Sequence, residues 1–486
     1  MKNLRDLKPE KIWKYFEEIL TIPRPSGSEE KIAEYLISFA TNNDLAWKKD
    51  DTGNVLIKKP ASPGMDKVKI VVLQSHLDMV CESNAAINID FNKDPIQAFI
   101  DGGWIKARGT TLGADNGIGI AAQMAILTDN SLEHGPVECL FTVDEERGLT
   151  GAFELGKDFF SGNILVNLDS EDEGEVFIGS AGGIDTLISC PVKRDVTPAS
   201  LIAFKLVIAG LKGGHSGDDI HKGRGNANKI LSRILVDARK HYKVFIASLE
   251  GGNLRNAIPR EANAIICIEP GKEKEFRQFV ESMEHILKNE IGDVEKDLSV
   301  TLTNCDAPEM ILKTTAVNKV LDAIHACPNG VIEMSRALPG LVETSSNLAS
   351  IRTRNDDTIK IVTSQRSSVE SAKSDIASRI RSQFELIAAR VEHTGNYPGW
   401  NPNPDSLIVR IADDQYEKMF GKKPVIRAVH AGLECGLFLD KYPQLDMISI
   451  GPTIRDAHSP DERMEIDTVD KFWKFLLAIL KNIPKN

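Results

Sequence analysis

The sequence predicts an α/β protein in which a smaller α+β domain is inserted into a larger, discontinuous domain. Three observations support this fold class. Short runs rich in β-branched residues alternate with helical patterns in the first third of the chain. After the small-residue stretch 179–183, the order of predicted elements changes to βαββαβ. Short apolar strands return beyond the proline-rich segment 397–404, so the C-terminal part is expected to complete the first domain.

The larger domain is predicted to contain a mixed sheet whose central strands are parallel. Its strands are apolar throughout, as expected for strands that helices cover on both faces. The predicted helices cover residues 8–22, 28–41, 116–128 and about 468–480, and the predicted strands cover 54–58, 68–73, 137–143, 164–168, 425–429 and 447–450.

The inserted domain is predicted to be ferredoxin-like, because its elements follow the order βαββαβ. The strands of this unit are 201–208, 243–249, 263–269 and 298–303, its helices are 226–242 and 272–289, and strands 348–354 and 358–364 with a helix 371–391 extend it. We expect the larger domain to comprise residues 1–186 and 398–486, and the inserted domain residues 187–397.

Composition narrows the class of protein. The chain has 486 residues, more than one hydrophobic core usually supports, and its 42% hydrophobic and 27% charged residues are ordinary for a globular protein. Its net charge is -11 and its basic residues form no block, which argues against a nucleic acid partner. No stretch reaches the roughly 18 apolar residues of a membrane span, and the N-terminus is charged. Seven cysteines without a CxxC motif suit a reducing compartment, so we expect a cytoplasmic protein.

Candidate metal ligands follow the first strands of the predicted sheet. His76 and Asp78 are two residues apart, which places both side chains on the same face of an extended chain. A carboxylate in that position can orient an imidazole as a metal ligand, although an ordinary polar pair has the same spacing. Asp115 lies in the glycine-rich segment 113–117, where the backbone can approach a ligand closely. The alternative for Asp115 is an N-terminal cap of the following helix.

Further carboxylates end the next two predicted strands. Asp144, Glu145 and Glu146 end one of them, and Asp169 ends the other. Successive carboxylates repel one another unless a cation or solvent relieves the repulsion, so either a metal site or a solvated loop explains them. His458 lies just beyond a predicted strand of the C-terminal part.

Two histidines and three acids are predicted to lie at the carboxyl edge of one sheet. Solvated loops do not require so many of these residues at one edge. Ligands of open α/β sheets bind at this edge, and imidazoles with carboxylates suit zinc or a similar divalent ion. If Asp115 is shared between two ions, each ion has one histidine and one further carboxylate, with positions left for water and a substrate carbonyl. This arrangement predicts a two-metal hydrolase with Glu145 as the general base.

Seven segments also carry a family resemblance. They are SHLDMV (75–80), ARGTTLGADNG (107–117), DEE (144–146), LKGGHSG (211–217), RNAIPR (255–260), HAGLECG (430–436) and HSPDE (458–462). Together they resemble the co-catalytic dizinc exopeptidases, which include aminoacylases and glutamate carboxypeptidases, and within that family the aminoacyl-histidine dipeptidases. The resemblance covers essentially the whole chain.

This resemblance implies two zinc ions that share one bridging carboxylate. The implied ligands are His76 and Asp169 for one ion, Glu146 and His458 for the other, and Asp115 between them. Asp78 is implied to orient His76, and Glu145 to be the general base. A cis peptide bond between Asp115 and Asn116 is a further implied feature.

The resemblance also implies that the inserted domain is a lid and a dimerisation surface. The implied substrate-binding residues are His215, Asn256, Arg366 and Gly432. The expected enzyme is a homodimeric zinc dipeptidase that acts on small peptides with a free C-terminal carboxylate, of the Xaa-His type, without nucleic acid or membrane partners. Alternatives are an N-acyl-amino-acid deacylase or a tripeptidase with the same dizinc centre, or a non-catalytic metal-binding relative. The last is disfavoured because it would not require Glu145.

Overall fold

The computed structural model describes residues 4–485 and divides the chain into two compact units. The first unit runs to Gly179 and includes Trp400–Ala428 and the chain from Leu433 onwards. The second unit comprises Ser180–Gly399 and Val429–Gly432. These boundaries differ from the predicted changes after residues 186 and 397, and a four-residue segment of the C-terminal part joins the second unit.

The first unit is built on an eight-stranded mixed sheet whose four central strands are parallel. In spatial order the strands are Ala46–Lys49, Val55–Lys59, Val137–Thr142, Val71–His76, Ile164–Asn167, Asp446–Ser449, Glu175–Ser180 and Val425–Val429. Every residue of the two strands Val71–His76 and Val137–Thr142 is buried, as their apolar composition predicts. The predicted mixed, centrally parallel sheet is confirmed.

Helices and a small second sheet complete this unit. The helix Ala114–Thr128 packs against the strand Val71–His76 and the helix Glu10–Ile19. The other helices are Leu4–Asp6 (a 3-10 turn), Glu30–Asn42, Glu145–Gly148, Thr150–Glu154, Leu407–Phe420, Glu434–Lys441 and Ile466–Lys481. The small antiparallel sheet contains Ala98–Asp101, Trp104–Ala107, Ile454–Arg455 and Arg463–Glu465. Among residues 4–485, no helix combines the length and hydropathy needed to cross a bilayer.

The second unit contains a nine-stranded antiparallel sheet. Four of its strands have the ferredoxin-like spatial order Ser299–Asn304, Ile202–Ala209, Ala262–Ile268 and Val244–Gly251, as predicted. The sheet continues through Val342–Thr353, Thr358–Ser367, Gly182–Pro191 and Arg390–Tyr397. The ninth strand, Gly330–Met334, pairs with Val342–Thr353. The helices are Ala227–Ala238, Glu273–Ile291, Thr314–Ala326 and Glu370–Glu385. Their apolar faces and the sheet form one continuous core.

Some elements of the second unit differ from the prediction. The predicted helix 371–391 ends at Glu385, and Ala388, with a φ of 60°, separates it from the strand Arg390–Tyr397. The prediction was wrong there because apolar spacing continued past the helix end. The strand Gly182–Pro191 begins inside the small-residue stretch 179–183, after which we expected the order of elements to change. The sequence also did not predict the helix Thr314–Ala326 or the short strands Arg194–Val196, Gly214–His215, Ala257–Ile258, Met310–Leu312 and Gly330–Met334.

Candidate functional site

The polar residues of the site stand at one edge of the parallel strands of the first unit. His76 is the last residue of the strand Val71–His76, and it is paired in register with Thr142 of the neighbouring strand. Asp144, Glu145 and Glu146 follow that neighbour, and Asp169 follows the strand on the other side of His76. Because adjacent parallel strands end together, the backbone alone brings these side chains to one place.

One group of candidate ligands consists of His76, Asp115 and Asp169. Nε2 of His76 lies 2.9 Å from Oδ1 of Asp115 and 3.2 Å from Oδ1 of Asp169. The imidazole of His76 is fully buried. One nitrogen therefore faces two carboxylate oxygens at hydrogen-bond distances, and these three atoms are close enough together to surround one ion.

A second group consists of Asp115, Glu146 and His458. Nε2 of His458 lies 3.1 Å from Oδ2 of Asp115 and 3.0 Å from Oε1 of Glu146. Oε1 of Glu146 is buried and accepts no hydrogen bond. Since buried polar atoms in native proteins almost always have a partner, this oxygen fits a ligand that binds there.

Asp115 belongs to both groups and presents a different oxygen to each histidine. Its peptide bond to Asn116 is cis, as the family resemblance implies, and both residues have non-helical dihedral angles at the start of the helix. Nδ2 of Asn116 donates to Oδ1 of Asp169 at 2.5 Å. Gly113 has a φ of +70°, and a Cβ there would lie 2.6 Å from the Arg24 guanidinium, so only glycine fits this turn.

Electrostatics show how strongly the residues of the site interact. The nearby carboxylates of Asp115 and Glu146 raise the pKa of His458 to about 11. Burial alone would lower the pKa of His76, but Asp169 and Asp115 raise it well above its usual value. Burial raises the pKa of Asp169 to about 7. The carboxylates thus favour the charged forms of both imidazoles. Divalent ions bound between these side chains would supply positive charge at the same place.

Asp78 links the first histidine to the turn that carries the candidate base. Its Oδ1 lies 3.3 Å from Nδ1 of His76, and its two oxygens accept the backbone N–H groups of Glu145 at 3.0 Å and Glu146 at 3.1 Å. Burial opposes ionisation of Asp78, but these bonds, with that from His76 first, lower its pKa to about 2. Burial raises the pKa of Glu145 well above its usual value.

The four predicted substrate-binding residues all lie in the second unit, in two places. His215 and Asn256 are close, since the strand Gly214–His215 pairs with Ala257–Ile258 and the N–H of Ser216 donates to the carbonyl of Asn256 at 2.8 Å. Nδ1 of His215 lies 3.2 Å from a carboxylate oxygen of Asp218.

The other place contains Arg366 and Gly432, which meet at Tyr397. Nη1 of Arg366 donates to the Tyr397 hydroxyl at 3.0 Å, and a Cβ on Gly432 would lie 3.0 Å from that ring. Arg366 is 7% exposed and its Nε is buried without a partner, so it is not an ordinary surface charge.

Several residues near these groups were missed by sequence reasoning. They are Arg24, Tyr397, His430, Glu434 and Glu462, all of them buried or half-buried and hydrogen-bonded. His430, Glu434 and Glu462 do lie in segments that carry the family resemblance, which was an available signal. Arg24 and Tyr397 lie outside those segments.

Comparison with known proteins identifies the family. Residues 72–482 match the profile of "Peptidase family M20/M25/M40". This chain belongs to that peptidase family. The predicted resemblance and the predicted peptide-bond hydrolase are thereby confirmed.

Two relatives of this peptidase match over the full length. The "Cytosol non-specific dipeptidase" of Escherichia coli (strain K12) is 44% identical over 484 residues, which cover 100% of both chains. The crystal structure of aminoacylhistidine dipeptidase from Vibrio alginolyticus is also 44% identical, with a TM-score of 0.94 and coverage of 100% of this chain and 99% of that one. A tripeptidase from Staphylococcus aureus shares the fold at 16% identity, with a TM-score of 0.61 and coverage of 98% and 99%.

Proposed function

We propose that this peptidase is a dinuclear zinc dipeptidase that hydrolyses small dipeptides with a free C-terminal carboxylate, including those that end in histidine. The observation that carries the proposal is the shared carboxylate of Asp115, with one histidine at each of its oxygens. The two full-length relatives, named as dipeptidases, support the substrate class. Seven free cysteines and the name of the E. coli relative support a cytoplasmic location.

The donor set fits two zinc ions. Each group offers one imidazole nitrogen and carboxylate oxygens, which is ligand chemistry that zinc accepts, and leaves room for further ligands. His76 and Asp169 would hold one ion, Glu146 and His458 the other, and Asp115 both. When bound, two such ions polarise a carbonyl and acidify water.

The protein's own groups then handle protons and orientation. Glu145 accepts the proton of the attacking water and delivers it to the leaving amine. Asp78 fixes the orientation of the His76 imidazole and, through two backbone N–H groups, the position of the turn that carries Glu145. Asp78 therefore fixes the positions of the base Glu145 and the ligand His76 relative to each other.

In the second unit, Arg366 is our candidate for binding the substrate's C-terminal carboxylate. A guanidinium binds a carboxylate with two parallel hydrogen bonds, and the Nε of Arg366 is buried without a partner. Asn256 and Gly432 are proposed to contact the peptide, and His215 to donate to the developing oxyanion from the second unit of a neighbouring chain. This proposal requires a homodimer.

A substrate panel tests the function. The enzyme is stripped of metal with a chelator, reloaded with Zn²⁺, and assayed on dipeptides, their C-terminal amides, tripeptides and N-acyl amino acids. We expect activity only after reloading and only on free dipeptides, with amides disfavoured by about 2 to 5 kcal/mol because Arg366 loses its charged partner. Arg366→Gln should abolish the preference for acid over amide.

Other results would contradict the proposal. Faster cleavage of N-acyl amino acids would indicate a deacylase, and faster cleavage of tripeptides would indicate a tripeptidase. If the unaltered enzyme cleaved dipeptides and their C-terminal amides at equal rates, Arg366 would not be the group that recognises the carboxylate.

A further inference from the structure

A buried carboxyl group that the proposed mechanism does not use lies beside the bridging aspartate. Glu462 is 2% exposed, and its two oxygens accept four successive backbone N–H groups. Oε2 accepts from Leu112 at 2.7 Å and from Gly113 at 2.9 Å, and Oε1 accepts from Ala114 at 2.8 Å and from Asp115 at 3.4 Å. All of these N–H groups belong to the loop that presents Asp115.

The position of these N–H groups explains why an acid is buried there. They stand at the entry to the helix Ala114–Thr128, where backbone N–H groups have no partner within the helix and carry partial positive charge. A buried carboxyl is costly unless hydrogen bonds replace its water, and four N–H groups supply them. Glu462 is distant in sequence from this helix, and its carboxyl group thus takes the place of an N-terminal cap.

Arg24 holds the opposite side of the same loop. Its guanidinium is 2% exposed and donates to the carbonyl of Gly113, to that of Leu77 at 3.0 Å and to that of Asp78 at 2.7 Å. The loop before Asp115 is therefore held through its N–H groups by Glu462 and through a carbonyl by Arg24. It has little freedom to move relative to the chain that follows His76.

Glu462 also lies four residues after His458, in a compact turn. Its N–H donates to the carbonyl of Ser459 at 3.0 Å, and Oγ of Ser459 donates to the carbonyl of Asp456 at 2.7 Å. Because the turn is internally bonded, the anchoring of Glu462 on the loop 112–115 also fixes where His458 stands relative to Asp115. Those two side chains face each other across 3.1 Å.

We propose that Glu462 is a positioning residue that sets the geometry of the ion site formed by Asp115, Glu146 and His458. It contacts neither the ion nor the substrate and acts through the backbone of the loop 112–115 and the turn 456–462. The inference rests on the proposed function, since it assumes that this site binds an ion.

The test replaces Glu462 by glutamine and measures Zn²⁺ binding by calorimetry on the metal-stripped chain. An amide keeps one acceptor oxygen but turns its NH₂ toward two of the four N–H groups, so the loop and the turn should separate. His458→Ala identifies which of the two binding steps belongs to this site. Glu462→Gln should weaken that same step by about 10- to 100-fold and leave the other step nearly unchanged.

Glu138→Gln is the matched control. Glu138 is 3% exposed and accepts the backbone N–H groups of Ser161 at 2.7 Å and Gly162 at 3.0 Å, near the opposite end of the strand Val137–Thr142 from the site. This variant should lower the thermal unfolding midpoint and leave both Zn²⁺ affinities unchanged. If it weakened Zn²⁺ binding as much as Glu462→Gln does, the effect would be general destabilisation and the inference would fail.

Glu462→Asp keeps the test decisive if the glutamine variant does not fold. The aspartate keeps the charge but is one methylene shorter, so it cannot span all four N–H groups, and the same binding step should weaken. Unchanged Zn²⁺ affinities in the folded variants would overturn the inference. If the unaltered chain bound no Zn²⁺, the proposed function itself would fail, and the two failures are therefore distinguishable.

Discussion

The backbone N–H of Glu145 donates to Oδ1 of Asp78 over 3.0 Å. The same oxygen lies 3.3 Å from Nδ1 of His76, so one carboxylate touches both a candidate ligand and the turn of the candidate base. Asp78 itself is buried, and its pKa of about 2 keeps it ionised at neutral pH. The position of Glu145 is thus set by its backbone, and its side chain remains available for proton transfer.

This arrangement leads to the first prediction, that Glu145→Gln separates catalysis from metal binding. The backbone bond to Asp78 does not depend on the Glu145 side chain, so folding and binding of two ions should persist. Loss of a general base should reduce turnover by about 10²- to 10⁴-fold. Metal content and kcat should be measured on the same preparation. Near-normal turnover with both ions bound would exclude Glu145 as the base.

The second prediction concerns the bridging carboxylate. Asp115 presents Oδ1 to His76 and Oδ2 to His458, so Asp115→Ala should disturb both ion sites. Of the two ligand groups, Asp169 belongs only to the one that contains His76, so Asp169→Ala should chiefly affect one site. Stoichiometry of bound Zn²⁺ per chain distinguishes the two variants. Retention of two tightly bound ions by Asp115→Ala would show that the carboxylate does not bridge.

The third prediction is a pH dependence of stability from His430 in the second unit. Burial, then the nearby charge of Arg366, lowers the pKa of His430 to about 3, although Asp218 opposes this and His221 adds to it. The imidazole is 5% exposed, and its Nε2 lies 2.7 Å from Oγ of Ser345. Because the folded state keeps His430 neutral while the unfolded chain protonates it near pH 6.5, acid favours unfolding.

The stabilisation from neutral His430 is therefore complete above about pH 6.5 and is lost as the pH falls toward 3, by up to about 1.4 kcal/mol per pH unit. Thermal unfolding should be followed across this range for the unaltered protein and for His430→Gln, which cannot titrate. The midpoint of the variant should fall less steeply with acid. Parallel curves for the two proteins would mean that His430 is not held neutral in the folded state.

The sequence predicted those parts of the site that follow strands, and it missed those that depend on distant packing. His76 and Asp169 could be placed because short apolar runs reveal parallel strands, which end at one edge. Glu462 bonds to a loop about 350 residues away, and no local pattern reports such a contact. Likewise, apolar spacing carried the predicted helix 371–391 past Glu385, because the left-handed conformation of Ala388 leaves no sequence signature.

The fourth prediction tests whether His215 acts on a neighbouring chain. The resemblance to dizinc exopeptidases motivates it, and the structure adds that His215 stands on a two-residue strand of the second unit with its side chain one-third exposed. A donor to the developing oxyanion typically contributes about 10²- to 10³-fold in rate, so His215→Ala should be nearly inactive. Glu145→Gln should be nearly inactive for the separate reason given above.

Mixing these two inactive variants should restore activity if the enzyme is a homodimer with His215 acting across the interface. A heterodimer then contains one site in which Glu145 of one chain meets His215 of its partner, and the other site lacks both residues. Random exchange of subunits in a symmetric dimer should return about one quarter of the sites to full activity. Activity should be assayed after exchange, with heterodimers quantified by differently tagged chains. Heterodimers without recovered activity would place His215 in its own chain's site or outside catalysis.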